Sequence, residues 1–142
     1  MNGWILSDPK DIKFLLSNMV GPYSANVMNY APTWEDKCPE IEMSTNNSTY
    51  QILFYADYTV DNGTYATTYH HNDNYHTITF YKAFTSTSDL YRNETIVHEV
   101  GHALGLAHCD VADNNVSVMR AEGVNGKAYP LADDMKGIAA LY

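Results

Sequence analysis

A chain of 142 residues, 45% hydrophobic and 13% aromatic, carries enough apolar side chain for one packed domain and is too short for several. Its formal net charge of −9 at pH 7 argues against nucleic acid or an anionic membrane as partner. No run is long and apolar enough to span a bilayer, and residues 1–20 lack both a basic leader and an uninterrupted apolar stretch, so no signal peptide is expected there.

In chain order, residues 11–16 read as a first strand. Pro22 opens a helical segment lined by Ala25, Val27, Met28, Tyr30, Ala31 and Trp34, with Pro32 limiting its regular part. Residues 39–43 alternate and predict a short strand. Residues 50–58, dense in aromatic and β-branched side chains, predict the strongest strand. Asp61, Asn62 and Gly63 form a turn signal, and residues 65–69 and 77–81 give two more strands. Between those two lies a solvated hairpin loop with His70, His71 and, at its far end, His76. Ser88 or Asp89 caps a helix from about Leu90 to Ala103 or Leu104.

That helix ends in the run His98-Glu99-Val100-Gly101-His102-Ala103-Leu104-Gly105-Leu106-Ala107-His108, which fills every fixed position of H-E-x-x-H-x-x-G-x-x-H. Two histidines four apart share one helix face, so His98 and His102 reach a single ion. Gly105 takes the left-handed conformation that ends a helix and lets the chain turn back to deliver His108. Three neutral nitrogens around Zn²⁺ leave the fourth position open, as in a catalytic zinc site. There zinc lowers the pKa of a bound water and polarises a carbonyl, and Glu99 takes the water's proton and passes it to the leaving amine.

The long zinc motif resembles that of the metzincins, which also carry a methionine in a tight turn beneath the metal. Ser117-Val118-Met119 fits that Met-turn, and the resemblance implies that Met119 forms an apolar floor without binding zinc. Astacin-like and serralysin-like members add a tyrosine ligand two residues after the methionine, where this chain has Ala121. The tail from Tyr129 to Tyr142 is similar to the last helix of the matrixins, in which one of two paired aspartates, here Asp133 or Asp134, bonds the Met-turn backbone. Helix capping is an equally simple role for those carboxylates. The chain departs from the family at Cys109-Asp110, where serine is usual, and at Arg120, where an aromatic residue is common. It also lacks the acidic, glycine-rich calcium loops typical of vertebrate members, so it reads as a minimal, matrixin-like relative and not a vertebrate-type enzyme.

The resemblance implies an α+β, zincin-like fold: a twisted mixed sheet with one antiparallel edge strand, an active-site helix and a C-terminal helix. Residues 1–142 form one catalytic domain, with an upper part at 1–105 and a lower part at 106–142. The fourth strand borders the cleft in that layout, so Gly63, Thr64, Tyr65, Ala66 and Thr67 are expected to bind an extended polypeptide as an added strand. The loop between Met119 and Pro130 corresponds to the wall of a specificity pocket, with Tyr129 beside it. The implied activity is that of a secreted, extracellular, monomeric zinc endopeptidase; the alternative is a non-catalytic, zinc-stabilised peptide-binding module.

Further metals find only fragments of a site. His71-Asn72-Asp73 copies the start of the matrixin structural zinc site, yet no distant histidine completes it, and Asp57, Asp61 and Asp73 sit in no diagnostic calcium loop. Cys38 and Cys109 allow one disulfide in an oxidising compartment. The N-x-[ST] triplets at Asn46, Asn47, Asn62, Asn93 and Asn115 matter for eukaryotic secretion and are otherwise polar loops.

Overall fold

The computed structural model describes residues 1–109 and 115–142; Asp110 lies outside the described residues. Its centre is a five-stranded sheet of β1 (Ile12–Leu16), β2 (Met43–Thr45), β3 (Ile52–Asp57), β4 (Ala66–Asn72) and β5 (Tyr75–Tyr81), in the order β2-β1-β3-β5-β4. β1 runs parallel to β2 and β3, and β3 parallel to β5. Only β4 is antiparallel, and it forms an edge. The alternation along each strand explains the layering: Ile12 and Phe14, Ile52, Phe54 and Ala56, and Ile78 and Phe80 are all buried. On β4 only Ala66 is buried, as suits a strand with one neighbour.

Helices cover one face of this sheet. A 3₁₀ turn at Asn18–Tyr23 leads into α1 (Ser24–Tyr30), and α2 (Thr33–Lys37) follows Pro32, which stands at its N-cap. The single helical segment expected there is thus divided at the proline, whose missing N–H costs nothing at a helix start. A short α3 (Lys82–Ser86) was not legible in the sequence. Its last carbonyls are taken up from a distance: the Arg92 guanidinium donates to Phe84 O and Thr85 O, both at 2.9 Å, and lies 4.8 Å over the Tyr23 ring. Next, α4 (Asp89–Ala103) starts where Ser88 accepts the Tyr91 N–H, and α5 (Ala132–Leu141) closes the chain. No described helix is long and apolar enough to cross a membrane.

Three expectations need correction. The strand placed at 39–43 begins only at Met43, because the Ile41 N–H turns back to Cys38 O (3.0 Å) and is not free to join a ladder. The triplet at Asn93 is not in a loop: Asn93 lies within α4, buried, and accepts a hydrogen bond from Asn26 Nδ2 at 2.8 Å. The hairpin between β4 and β5 is not simply solvated either, since His76 is fully buried and paired across the hairpin with His70.

Candidate metal centre and substrate cleft

The C-terminus of α4 sets the geometry of the site. Gly105 has φ +105°, and the Leu106 N–H reaches Gly101 O (2.9 Å) while the Gly105 N–H reaches His102 O (3.0 Å). This pair of bonds is a Schellman stop, which only a left-handed residue completes without strain. A side chain at Gly105 would also meet the Trp4 carbonyl at 2.5 Å. The first residues hold the turn from outside: Asn2 donates its backbone N–H to Gly105 O (2.9 Å) and its Nδ2 to His102 O (2.9 Å) and Leu106 O (3.3 Å). From the other terminus, Tyr142 donates its hydroxyl to Leu104 O at 2.8 Å. Neither terminal contact was legible in the sequence.

His98, His102 and His108 converge as the motif requires. His102 Nε2 lies 3.1 Å from His98 Nε2 and 3.1 Å from His108 Nε2. These contacts are not hydrogen bonds in the first pair, because the other nitrogens are already committed. His98 Nδ1 donates to Val118 O (2.7 Å) and His102 Nδ1 to Leu106 O (2.8 Å), which leaves a lone pair on each Nε2. Lone pairs aimed at each other repel unless a cation lies between them. Ligands about 2.0–2.1 Å from a tetrahedral Zn²⁺ stand roughly 3.3 Å apart, so the donor set fits that ion. Among the described residues this is the one group of three His, Cys, Asp or Glu side chains close enough to hold a metal.

Burial supports the same protonation states. Desolvation drives His98 down to about 4 and His102 down to about 3, with neighbouring histidines adding to the effect and the carbonyl acceptors opposing it. Glu99 is 7% exposed, and burial lifts its carboxyl to about 7, against the pull of the Thr68 hydroxyl. A divalent ion held by the adjacent imidazoles acts in the opposite sense and favours the carboxylate.

Met119 lies beneath the helix. It is 2% exposed, and a Cβ on Gly101 would collide with its sulfur and come within 2.9 Å of Trp34 Cζ2. That contact explains a glycine at a position the motif leaves variable. Asp134 is the aspartate that holds the turn: it accepts from Ser117 Oγ (2.5 Å), the Val118 N–H (2.8 Å) and the Leu131 N–H (2.8 Å). The last bond also caps α5, so both roles considered for the acidic pair fall on one residue. Asp133 instead receives the Cys109 thiol at 3.5 Å. Cys109 is not part of the convergent ligand group, and no disulfide joins it to Cys38, whose thiol burial raises to about 11.

Two cavities meet at Glu99. The larger, about 560 Å³, lies over the three histidines and is bordered by Thr64, Ala66, Thr67 and Thr68. The other, about 410 Å³, runs beside His98 and is lined by Tyr65, Ala66, Glu94, Val118, Arg120 and Val124 among others. Of the expected substrate residues, Thr64, Tyr65, Ala66 and Thr67 thus face the cleft. Gly63 sits in the preceding turn with φ +74° and lines neither cavity. Tyr129 also lines neither; its ring lies 5.4 Å from the Lys37 ammonium. Two residues that sequence reasoning missed belong here. Glu94 is buried and accepts the N–H groups of Asn125 (2.9 Å) and Gly126 (3.0 Å), tying the pocket loop to α4. Thr68 reaches Glu99 itself.

The remaining histidines lie beside this site, His70 bordering the same cavity and standing 3.5 Å from Asn2 Nδ2, but they are bonded differently. His76 Nε2 donates to Asp73 O (3.0 Å), so its Nδ1 is the acceptor for His70 Nδ1 at 2.8 Å. His71 Nε2 lies 3.1 Å from Thr77 Oγ1. The candidate calcium carboxylates are likewise spent apart from one another: Asp57 on Thr59, Asp61 on Lys82 and Asp73 on the Ile5 N–H.

Comparison with known proteins agrees with this geometry. The family model Peptidase_M10, Matrixin, matches residues 41–142. No curated protein matches. Two solved structures of myroilysin are similar: one at 24% identity and TM-score 0.57 over 73% of this chain, the other at 19% and 0.65 over 99%. The chain spans 52% of the first and 86% of the second. A chain of the GM1-bound ECX AB5 holotoxin matches 92% of this chain and is itself covered over 79%, at 14% identity and TM-score 0.70. At such identities these structures show the shared fold.

Proposed function

This chain belongs to the matrixin family, whose members carry a zinc-dependent metallopeptidase domain, and from that premise we propose that it is a zinc endopeptidase with Glu99 as its general base. The observation that carries the reading is the junction of three elements: convergent Nε2 atoms of His98, His102 and His108, a buried carboxylate beside them, and an open strand edge along the cleft. The three imidazoles would hold Zn²⁺, which supplies Lewis acidity that lowers the pKa of water and polarises a carbonyl.

The chain's own residues do the rest. An extended polypeptide lies along β4, whose outer N–H and C=O groups have no strand partner among the described residues, and so presents a peptide bond to the cleft. Glu99 accepts a proton from water as it attacks, then delivers that proton to the leaving amine nitrogen. The C–N bond breaks, giving a new carboxyl end and a new amine end. The cavity bounded by Glu94, Val118 and Val124 receives a neighbouring side chain of the substrate. Met119 and the Asp134-held turn keep His98 in place through Val118 O. In this reading residues 1–105 and 106–142 are the upper and lower parts of one domain, acting as a monomer on extracellular protein.

A peptide-library cleavage assay with and without a chelator tests the activity. Glu99→Ala is expected to retain one metal per chain while cleavage falls to background. Cleavage by that variant at the wild-type rate would remove Glu99 from its role. A wild-type protein that binds metal and peptides yet cleaves none would be a binding module.

A further inference from the structure

The face that β4 turns toward α4 carries Ala66, Thr68 and His70 at alternate positions. Thr68 Oγ1 lies 2.5 Å from Glu99 Oε2 and 3.0 Å from the Glu99 carbonyl oxygen. We propose that Thr68 is a positioning residue of the reaction: its hydroxyl holds one carboxylate oxygen of Glu99 so that the other stays turned to the cleft. The proposal rests on the reading of Glu99 as general base and adds how that base is held.

A hydroxyl carries one proton and can donate to only one of its two neighbours. An ionised carboxylate is the stronger acceptor, and the bond to Oε2 is the shorter, so the proton goes there. Among the described residues no other side chain donates to the Glu99 carboxylate. Glu99 is long and rotatable, and one charge-assisted bond removes most of its freedom before substrate arrives. Oε1 is not a buried orphan, because among the described residues no buried side-chain oxygen lacks a partner; it opens to the cleft that Glu99 lines. When Oε1 takes the proton from water, Thr68 keeps its bond to Oε2, and no side chain has to rearrange during the step.

The position of Thr68 gives this arrangement a second property. It is part of the strand on which the polypeptide is to lie, paired to Ile78 on its other side. Substrate edge and base are therefore joined through a single side chain, without an intervening loop.

The test compares Thr68→Val, which keeps the shape and loses the hydroxyl, with Thr68→Ser, which keeps the hydroxyl. Thr68→Val is expected to lower kcat by about tenfold or more with KM within about twofold, since a misplaced reacting group costs turnover before it costs binding. Thr68→Ser should recover kcat to within about threefold of wild type, and all three proteins should hold one metal per chain. Equal kcat in Thr68→Val and wild type overturns the proposal, as does a loss confined to KM, or a serine variant as slow as valine. Each of those outcomes leaves the peptidase reading intact so long as wild type cleaves and Glu99→Ala does not. A wild-type protein that holds metal and cleaves nothing overturns both.

Discussion

A cluster of three histidines and a bonded pair, His70 and His76, lie in one small domain, and they use the same side chain in opposite ways. At 98–108 the Nδ1–H groups of His98 and His102 are spent on backbone carbonyls, so their two Nε2 lone pairs face each other with no proton between them, beside His108 Nε2. At 70–76 the hydrogen bonds run in one direction: His70 donates to His76, and His76 donates to Asp73 O. A cation between the rings would relieve the repulsion in the first cluster. The second satisfies itself and is further covered by Trp4, stacked on His70 at 5.3 Å. Counting histidines does not distinguish them; the partner of the second ring nitrogen does.

The strongest way to break this comparison is to remove one ring from each side. His102→Ala is expected to lose bound metal and all cleavage, measured as metal content after dialysis and as peptide turnover. His76→Gln should keep one metal per chain and its activity while losing about 1–3 kcal/mol of stability, because a buried hydrogen-bonded relay is replaced by a side chain of different shape. Loss of metal from His76→Gln as complete as that from His102→Ala would make the clusters a single system.

A second variant sharpens the contrast by disturbing the cation-dependent cluster from below. Asp134 is 2% exposed and takes three hydrogen bonds from Ser117, Val118 and Leu131. Asp134→Asn would turn an amide N–H₂ toward donors, leaving at least one of them unsatisfied. The expected cost is about 3 kcal/mol, read from chemical denaturation. Metal affinity should fall as well, because the displaced Val118 carbonyl no longer fixes the His98 ring. Among the described residues the His70–His76 pair makes no hydrogen bond or ring contact with that turn and should be unaffected, as the ring NMR signals of His76 would report.

The two clusters also differ in how far the sequence reveals them. His98, His102, Glu99 and Gly105 were legible because their geometry is set by spacing within one helix and its stop, and the tail's acidic pair followed from family resemblance. His76 was read as part of a solvated loop, since its burial depends on Trp4 and on the cross-strand partner His70, which spacing does not specify. Glu94 and Asn2 were missed for the same reason: their partners lie 31 or more residues away in the chain. Thr68 was within reach, because the period of two from Ala66 already put it on the inward face. Strand type was legible from composition, whereas the end of the 39–43 strand turned on one backbone N–H, and α3 was too short to show a period.

The smallest expected effect is a difference in pH slope. Burial lowers His76 from its ordinary 6.5, as it lowers His70, so the folded state prefers both rings neutral. A group with a depressed folded pKa of this kind contributes stability that is fully present above the unfolded value of 6.5. That stability is lost as pH falls below 6.5 toward the folded pKa, because the unfolded chain then binds the extra proton. Glu94 and Asp134, raised by burial, act in the opposite sense at lower pH, but they are common to wild type and variant and cancel in the comparison. His71 and Asp73, the other titratable neighbours of His76, are likewise retained. With zinc saturating in both proteins, wild type should therefore lose stability faster than His76→Gln on acidification below pH 6.5. The difference in slope is bounded by about 1.4 kcal/mol per pH unit for one proton. Parallel stability curves for the two proteins between pH 7.5 and 5.5 would mean that the His70–His76 relay already accepts a proton in the folded state, and that the second cluster tolerates positive charge as readily as the first is built to hold it.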